Sequence, residues 1–189
     1  AGTLEINQKA AGPLTQLAKS AQLTGRVAIW DGDSVIITFD VHPRIRAVLP
    51  FRFGPRVHAY CSAMGKSILA FLDETQVNSY LDRTPLVAFT ATTVTEKDKL
   101  LEELAETRRR GYALDREEAV QGIGCIGAPV FQRDGQVAGS ISISGSTSRV
   151  LGEKMTEYTE ELLRTAAEIS RYMGHFPAFA DSLSGPRPN

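Results

Sequence analysis

The sequence predicts an α+β domain, one antiparallel sheet with helices packed on it. Three observations lead there. Strand-like stretches come in pairs joined by tight turns, at residues 26–41 and 122–144. Helical stretches lie before, between and after those pairs without the regular βαβ alternation that a parallel sheet needs. The chain has 189 residues, 42% apolar and 23% charged, enough for one domain that buries a core without disulfides or metal.

Ala10 to Leu23 reads as the first helix, with Leu14, Leu17, Ala18 and Ala21 on one side and Gly25 as its stop. Residues 1–9 ahead of it read as a linker. A hairpin follows, turning at Asp31-Gly32-Asp33, where glycine tolerates positive φ. Val35, Ile37, Phe39 and Val41 then alternate as a half-buried strand does. Over 42–57, Ile45, Val48, Leu49, Phe51 and Phe53 favour another strand, broken at Pro50. Ser62 to Leu72 is helical, burying Met64, Ile68, Leu69 and Leu72; residues 83–93 form a Thr-rich connection.

Thr95 to Arg110 is the next helix, with a capping box at Thr93/Glu96 or Thr95/Asp98, an inner side of Leu100, Leu101 and Leu104, and Gly111 as its end. Tyr112 to Asp115 is extended. Gly122 to Phe131 and Gln136 to Ser144 are strands around a turn at Arg133-Asp134-Gly135. A long amphipathic helix spans Leu151 to Met173, its stripe Leu151, Met155, Tyr158, Leu162, Ile169 and Tyr172, with Gly174 as C-cap. Residues 175–189, with Pro177, Pro186 and Pro188, read as a loose tail.

Composition excludes several function classes. Lys+Arg is 21 against Asp+Glu 22, a net charge of −1, without the basic excess of a domain that grips nucleic acid over a wide face. Cys61 and Cys125 make neither a disulfide framework nor a zinc signature, so no metal and no cofactor is expected and the setting is reducing, hence cytoplasmic. No apolar run approaches the roughly 20 residues of a membrane span, and no secretion signal opens the chain. Its first residue is Ala1, not Met, which points to a longer protein with a further N-terminal domain.

Four stretches carry possible chemistry. Gly65-Lys66-Ser67 resembles the end of a phosphate-binding loop, but Tyr60 stands where that motif needs its first Gly. The helix start near Ser62 still points backbone N–H groups outward and suits a carboxylate. The plainer reading is a capped helix with Lys66 in solvent. Ser140, Ser142 and Ser144 share one strand face and Ile141 and Ile143 the other, so the hydroxyls either meet water or line a polar pocket.

Gly122-Ile123-Gly124-Cys125-Ile126-Gly127 packs small residues into a strand, a mark of close approach by a ligand or another backbone. Cys125 there is either an inert buried thiol or, given a base, a nucleophile. His58 lies near Cys61, but three residues apart on a strand they face opposite ways; no catalytic dyad emerges. Asp115, Glu117 and Glu118 beside Arg116 suit acid–base chemistry or, more simply, a solvated loop.

Five stretches in order resemble the IclR-type transcriptional regulators. They are Gly54 to Leu69 around Ala63-Met64-Gly65-Lys66, Leu100 to Gly111 running into Tyr112-Ala113, and Asp115-Arg116-Glu117-Glu118 with Gly122. Cys125-Ile126-Gly127-Ala128-Pro129-Val130-Phe131 follows, then Ser142-Ile143-Ser144-Gly145 with Arg149. The resemblance spans residues 10–174 and implies an effector-binding domain with a GAF/PAS-like antiparallel sheet flanked by helices.

It further implies a homo-oligomer, dimer or tetramer, and DNA binding through an N-terminal winged helix-turn-helix outside this chain. Carried over residue by residue, it implies a small organic acid held by Ala63, Met64, Asp115, Cys125, Ser142 and Ser144, with Ile123, Val57 and Leu49 as apolar wall. His58 stands where many members have Pro, and Tyr60 where many have His. A Tyr60 phenol reaching the ligand favours a sugar acid over an aromatic or short keto acid. The rivals are a GAF-like enzyme using Cys125 or Cys61, and a purely structural dimerisation module.

Overall fold

The computed structural model describes residues 2–43 and 56–177. The strand expected from Ile45, Val48, Leu49, Phe51 and Phe53, and all of the tail beyond Pro177, lie outside the described residues.

Among the described residues six strands form one antiparallel sheet in the order β3-β2-β1-β6-β5-β4. They are β1 (Thr24–Trp30), β2 (Val35–Val41), β3 (Arg56–Val57), β4 (Ala113–Arg116), β5 (Ile123–Phe131) and β6 (Val137–Ser146). The central pair is fixed by side-chain alternation. Ile141 and Ile143 point to one face, where they meet Val27, Ile126, Ala128 and Val130. That face is covered by α1 (Gly2–Ala21) and α6 (Met155–Tyr172). The opposite face is covered by α2 (Ala63–Leu69), with α3 (Glu74–Arg83) and α4 (Lys97–Arg110) packed against it. The domain is therefore three layers, with helices on both faces of the sheet. Ser140, Ser142 and Ser144 on β6 are at most 6% exposed, so their side chains are not a solvent face.

The hairpin turn follows the sequence expectation. Asp31 Oδ1 accepts from the amides of Asp33 and Ser34, and Gly32 has φ +102°. Gly111 and Gly174 end α4 and α6 with φ +86° and +85°, also as expected.

Several boundaries differ. Helix α1 begins at Gly2, because Ile6 continues the buried stripe of Ala10, Leu14, Leu17 and Ala21 by one more turn. It ends at Ala21, and Gly25 does not stop it. Gly25 lies in β1, where a side chain would press on Leu14 at 3.1 Å. Arg149 Nη2 instead donates to the carbonyl of Ala21 at 2.7 Å.

Helix α3 was not anticipated, although Asp73 and Gln76 form a complete capping box. Neither expected capping box at α4 forms. Its N-cap is Glu96 without a side-chain bond, and Thr93 is used elsewhere. The last helix starts at Met155, not Leu151. A separate turn, α5 (Thr147–Val150), precedes it, and Tyr172 is half exposed, not on the inner stripe. Among the described residues no helix is long and apolar enough to cross a membrane.

Candidate functional site

A cavity of about 240 Å³ opens between the start of α2 and the serine face of the sheet. Two glycines set its shape. A 3-10 turn, Ala59–Cys61, leads into Ser62, which caps α2 by accepting from the amide of Gly65 at 3.0 Å. A Cβ on Gly65 would stand 2.3 Å from the Ala59 backbone, and one on Gly127 would stand 2.4 Å from the carbonyl oxygen of Ala63. Only glycine lets the turn fold back on α2 and lets α2 rest on β5. The close approach expected in the Gly122–Gly127 stretch is thus made, at Gly127, by another backbone.

The register of the sheet builds the floor. Ser142 lies opposite Arg26 on β1 and Gly127 on β5. One row along, Ser144, Cys125 and Asp115 sit side by side on β6, β5 and β4. Ala63, Met64, Asp115, Cys125 and Ser142 all line the cavity.

Ser144 is adjacent to it but not in its lining; its Oγ accepts from Arg26 Nη1 at 3.1 Å. Ile123 lies on the same face one pair further along, opposite Ser146, and does not reach the cavity. Tyr60 does not line it either. Its hydroxyl accepts from the Val87 amide at 3.0 Å and donates to the Val87 carbonyl at 2.7 Å, which holds the 84–94 loop and leaves no reach toward a ligand. Val57 is part of the wall, and Leu49 lies outside the described residues.

Sequence reasoning missed Arg26, Arg56, His58 and Phe89 as lining residues. Arg26 carried a signal, being a charge inside the otherwise buried strand Arg26-Val27-Ala28. Phe89 carried none. It reaches the mouth because its loop is tied down: Thr93 Oγ1 accepts from the Phe89 amide and donates to the Glu118 carbonyl. Thr90 and Thr92 donate to the carbonyls of Glu117 and Arg116 at 2.6 and 2.9 Å. Phe89 stacks on His58, ring centroids 4.9 Å apart.

Lys66 and the acidic turn are not solvated. Lys66 is 1% exposed, and its Nζ donates to both carboxylate oxygens of Glu118 at 2.8 and 2.9 Å. A lysine held so is not a phosphate ligand. Glu117 takes a left-handed φ of +61°, which brings the Glu118 amide back onto Asp115 Oδ1 at 2.7 Å. Burial, with the neighbouring Glu118 charge, lifts the Asp115 carboxyl to about 7, against the pull of the Glu118 amide and Lys66.

Burial pushes the Cys61 thiol up to about 12, with Asp115 and Glu118 adding to it. Burial and Asp115 push Cys125 up as well. Both sulfurs are therefore thiols at neutral pH, the opposite of an activated nucleophile. His58 contributes only its carbonyl to Cys61, at 3.9 Å. Among the described residues no cluster of His, Cys, Asp and Glu could hold a metal ion.

Comparison with known proteins agrees with this architecture. Residues 1–171 match the family model described as bacterial transcriptional regulator IclR C-terminal. The chain is 33% identical over 174 residues to the HTH-type transcriptional regulator XynR of Escherichia coli, covering 92% of this chain and 69% of the relative. Among solved structures, the Thermotoga maritima IclR superposes with a TM-score of 0.84 at 35% identity, covering 90% of this chain and 69% of that one. The C-terminal domain of E. coli KdgR superposes with a TM-score of 0.81 at 30% identity, covering 90% and 99%. The GAF-like α+β fold is common to them. The chain belongs to the IclR family of bacterial transcriptional regulators and comprises its C-terminal, effector-binding domain.

Proposed function

We propose that this domain senses a small organic acid in the α2 cavity and passes its occupancy to a DNA-binding winged helix-turn-helix elsewhere in the full-length protein. One observation carries the reading. Ala63, Met64, Asp115, Cys125 and Ser142 come from four elements and converge on one cavity of small-molecule size. Helix-start amides, a serine hydroxyl and a carboxyl near its midpoint at neutral pH supply hydrogen bonds of both senses to a hydroxylated or keto acid.

The domain is not an enzyme on this reading. Its two thiols are protonated and lack a placed base, and relatives such as XynR are named as regulators. It acts in the cytoplasm, as a homo-oligomer, without a cofactor. Its net charge of −1 suits sensing better than DNA contact.

The test is a thermal-shift screen of this chain against organic acids, with a gel shift in parallel. Ligand at about a hundredfold Kd adds roughly 2.7 kcal/mol of stability. Stabilisation by at least one acid and no sequence-specific DNA band are expected. A specific band from this chain alone would contradict the division of labour.

A further inference from the structure

The residues that line the cavity divide by exposure. Cys61, Ser62, Ala63, Met64, Asp115 and Ser142 are buried and form its interior. Among the described residues Arg56, His58 and Phe89 line it and are exposed, so they stand where the cavity meets solvent. Phe89 is 48% exposed and lies outside both hydrophobic cores of the described residues. Its ring rests on His58, with 4.9 Å between centroids and 28° between planes. Tyr60 stands behind the pair, its ring centroid 6.4 Å from that of Phe89 and 5.8 Å from that of His58.

The backbone beneath both rings is fixed. Val87 is bonded through its amide and its carbonyl to the Tyr60 hydroxyl. The amides of Phe89 and Thr90 both donate to Thr93 Oγ1 at 3.0 Å, and Thr90 Oγ1 donates to the Glu117 carbonyl. On the other side, His58 runs straight into the buried turn Ala59–Cys61, whose Ala59 backbone packs on Gly65. A wider mouth therefore comes from rotation of the two side chains, not from a swing of either segment. Exposed side chains change rotamer within nanoseconds, and an aromatic pair shifts an equilibrium by only about two- to tenfold. The rings part often, while the fixed walls behind them keep the opening to a set width.

We propose, on the reading that this cavity is the ligand site, that His58 and Phe89 form a width-selective rim and are specificity-determining residues. A molecule no thicker than an alkyl chain or one flat ring passes as Phe89 rotates. A branched or multi-ring molecule is held out, whatever the interior could bind. Arg56 is held by the hairpin turn, where it donates to Asp31 and Ser34, and leaves the two rings as the movable part of the rim.

The cavity carries its own reporter, the Cys125 thiol. With a methanethiosulfonate the cysteine sulfur gives up its proton and bonds to the thiol-derived sulfur of the reagent, and methanesulfinic acid leaves. The slender probe is methyl methanethiosulfonate and the wide one its 2,2-diphenylethyl analogue. Rates at Cys125 in the folded chain are read by peptide mass spectrometry. Each is divided by the rate of the same reagent with the chain unfolded in urea, which cancels intrinsic reactivity. The wide reagent has to wait for a rarer, larger opening of the chain, so the slender-to-wide ratio is expected at about tenfold or more. Phe89→Ala takes the ring off the rim and should lower that ratio about fivefold or more, and His58→Ala about twofold or more, since Phe89 loses its resting partner. Phe89→Tyr keeps a ring of the same width, and Val87→Ala keeps the backbone bonds of the loop; both should hold the wild-type ratio.

Equal normalised rates for the two reagents in the wild-type chain would overturn the proposal, as would an unchanged ratio in Phe89→Ala. A fall as large in Val87→Ala as in Phe89→Ala would do the same, because it would trace the effect to the loop and not to the ring. No labelling of the folded chain by either reagent would show the mouth shut and would also overturn it. The sensing reading fails separately, if no organic acid stabilises the chain in the thermal screen.

Discussion

Replacing Lys66 by Met should destabilise the domain severely, and the cause would be a stranded charge, not a void. Met has nearly the length of lysine and fills the same channel. What it removes is the ammonium between the two Glu118 oxygens, at 2.8 and 2.9 Å. Glu118 is 4% exposed and would keep the Arg116 amide at 3.1 Å as a partner for its Oε2. Breaking one half of a buried pair typically costs about 3–5 kcal/mol. For a chain of this size each kcal/mol moves Tm by roughly 2–4 °C, so the expected loss is on the order of 6–20 °C.

The double variant Lys66→Met/Glu118→Leu removes both charges and should recover much of that loss, because a well-packed apolar pair often matches a buried ion pair. Scanning calorimetry and urea unfolding followed by near-UV circular dichroism measure both. A Lys66→Met cost below about 1 kcal/mol, the range of a surface ion pair, would refute the burial argument. So would a double variant worse than the sum of the two single changes.

Ser142→Ala should weaken effector binding roughly ten- to a hundredfold with the fold nearly intact, because a lost charge-assisted hydrogen bond costs about 1.5–3 kcal/mol; unchanged affinity by calorimetry would remove Ser142 from the site. Ser140→Ala is a stability variant, since Ser140 Oγ donates to the buried Met64 carbonyl at 3.2 Å; urea unfolding should show a loss of about 1 kcal/mol. Gly127→Ala should push α2 off β5, since its Cβ falls 2.4 Å from the Ala63 oxygen; both Tm and effector affinity drop, and wild-type values in both would contradict the contact.

Asp115 gives a pH signature. Its carboxyl titrates near 7 in the folded chain and from 3.8 when unfolded, so between those values the unfolded state ionises while the folded state holds its proton. Its contribution to stability is full below about 4, is lost as pH rises to about 7, and is flat above. Glu118 and Lys66 from the adjacent turn and α2 and the two thiols face it and stay in place in Asp115→Asn. That variant should therefore lose this slope in pH-dependent urea unfolding, and an unchanged slope would refute the assignment.

Much of the fold was legible because periodicity is a local property. The alternation Ser140-Ile141-Ser142-Ile143-Ser144 dictated a strand with two unlike faces, and the structure buries both. Whether the serine face met water was not local; it depended on α2 crossing the sheet, which Gly127 permits. The same holds for Lys66 and Glu118, 52 residues apart, whose pairing no spacing rule reaches. Read alone each looked like a solvated charge; together they form the buried support of the Asp115 turn.

Of the residues the family resemblance implied, Ala63, Met64, Asp115, Cys125 and Ser142 line one cavity. Tyr60, whose phenol serves the Val87 loop, and Ile123, one pair further along the sheet, do not line it. Phe89 was invisible because its position depends on threonine hydroxyls meeting backbone carbonyls of a distant turn. Helix α1 was cut short because residues 1–9 read as a linker, although Ile6 continued its stripe.

The central claim is that the α2 cavity is an organic-acid sensor site. A crystal structure of the chain grown with the acid that stabilises it most in the thermal screen tests this directly. The account predicts density for the acid between the start of α2 and the Cys125–Ser142 floor. An empty cavity with the stabilising acid bound elsewhere would contradict it.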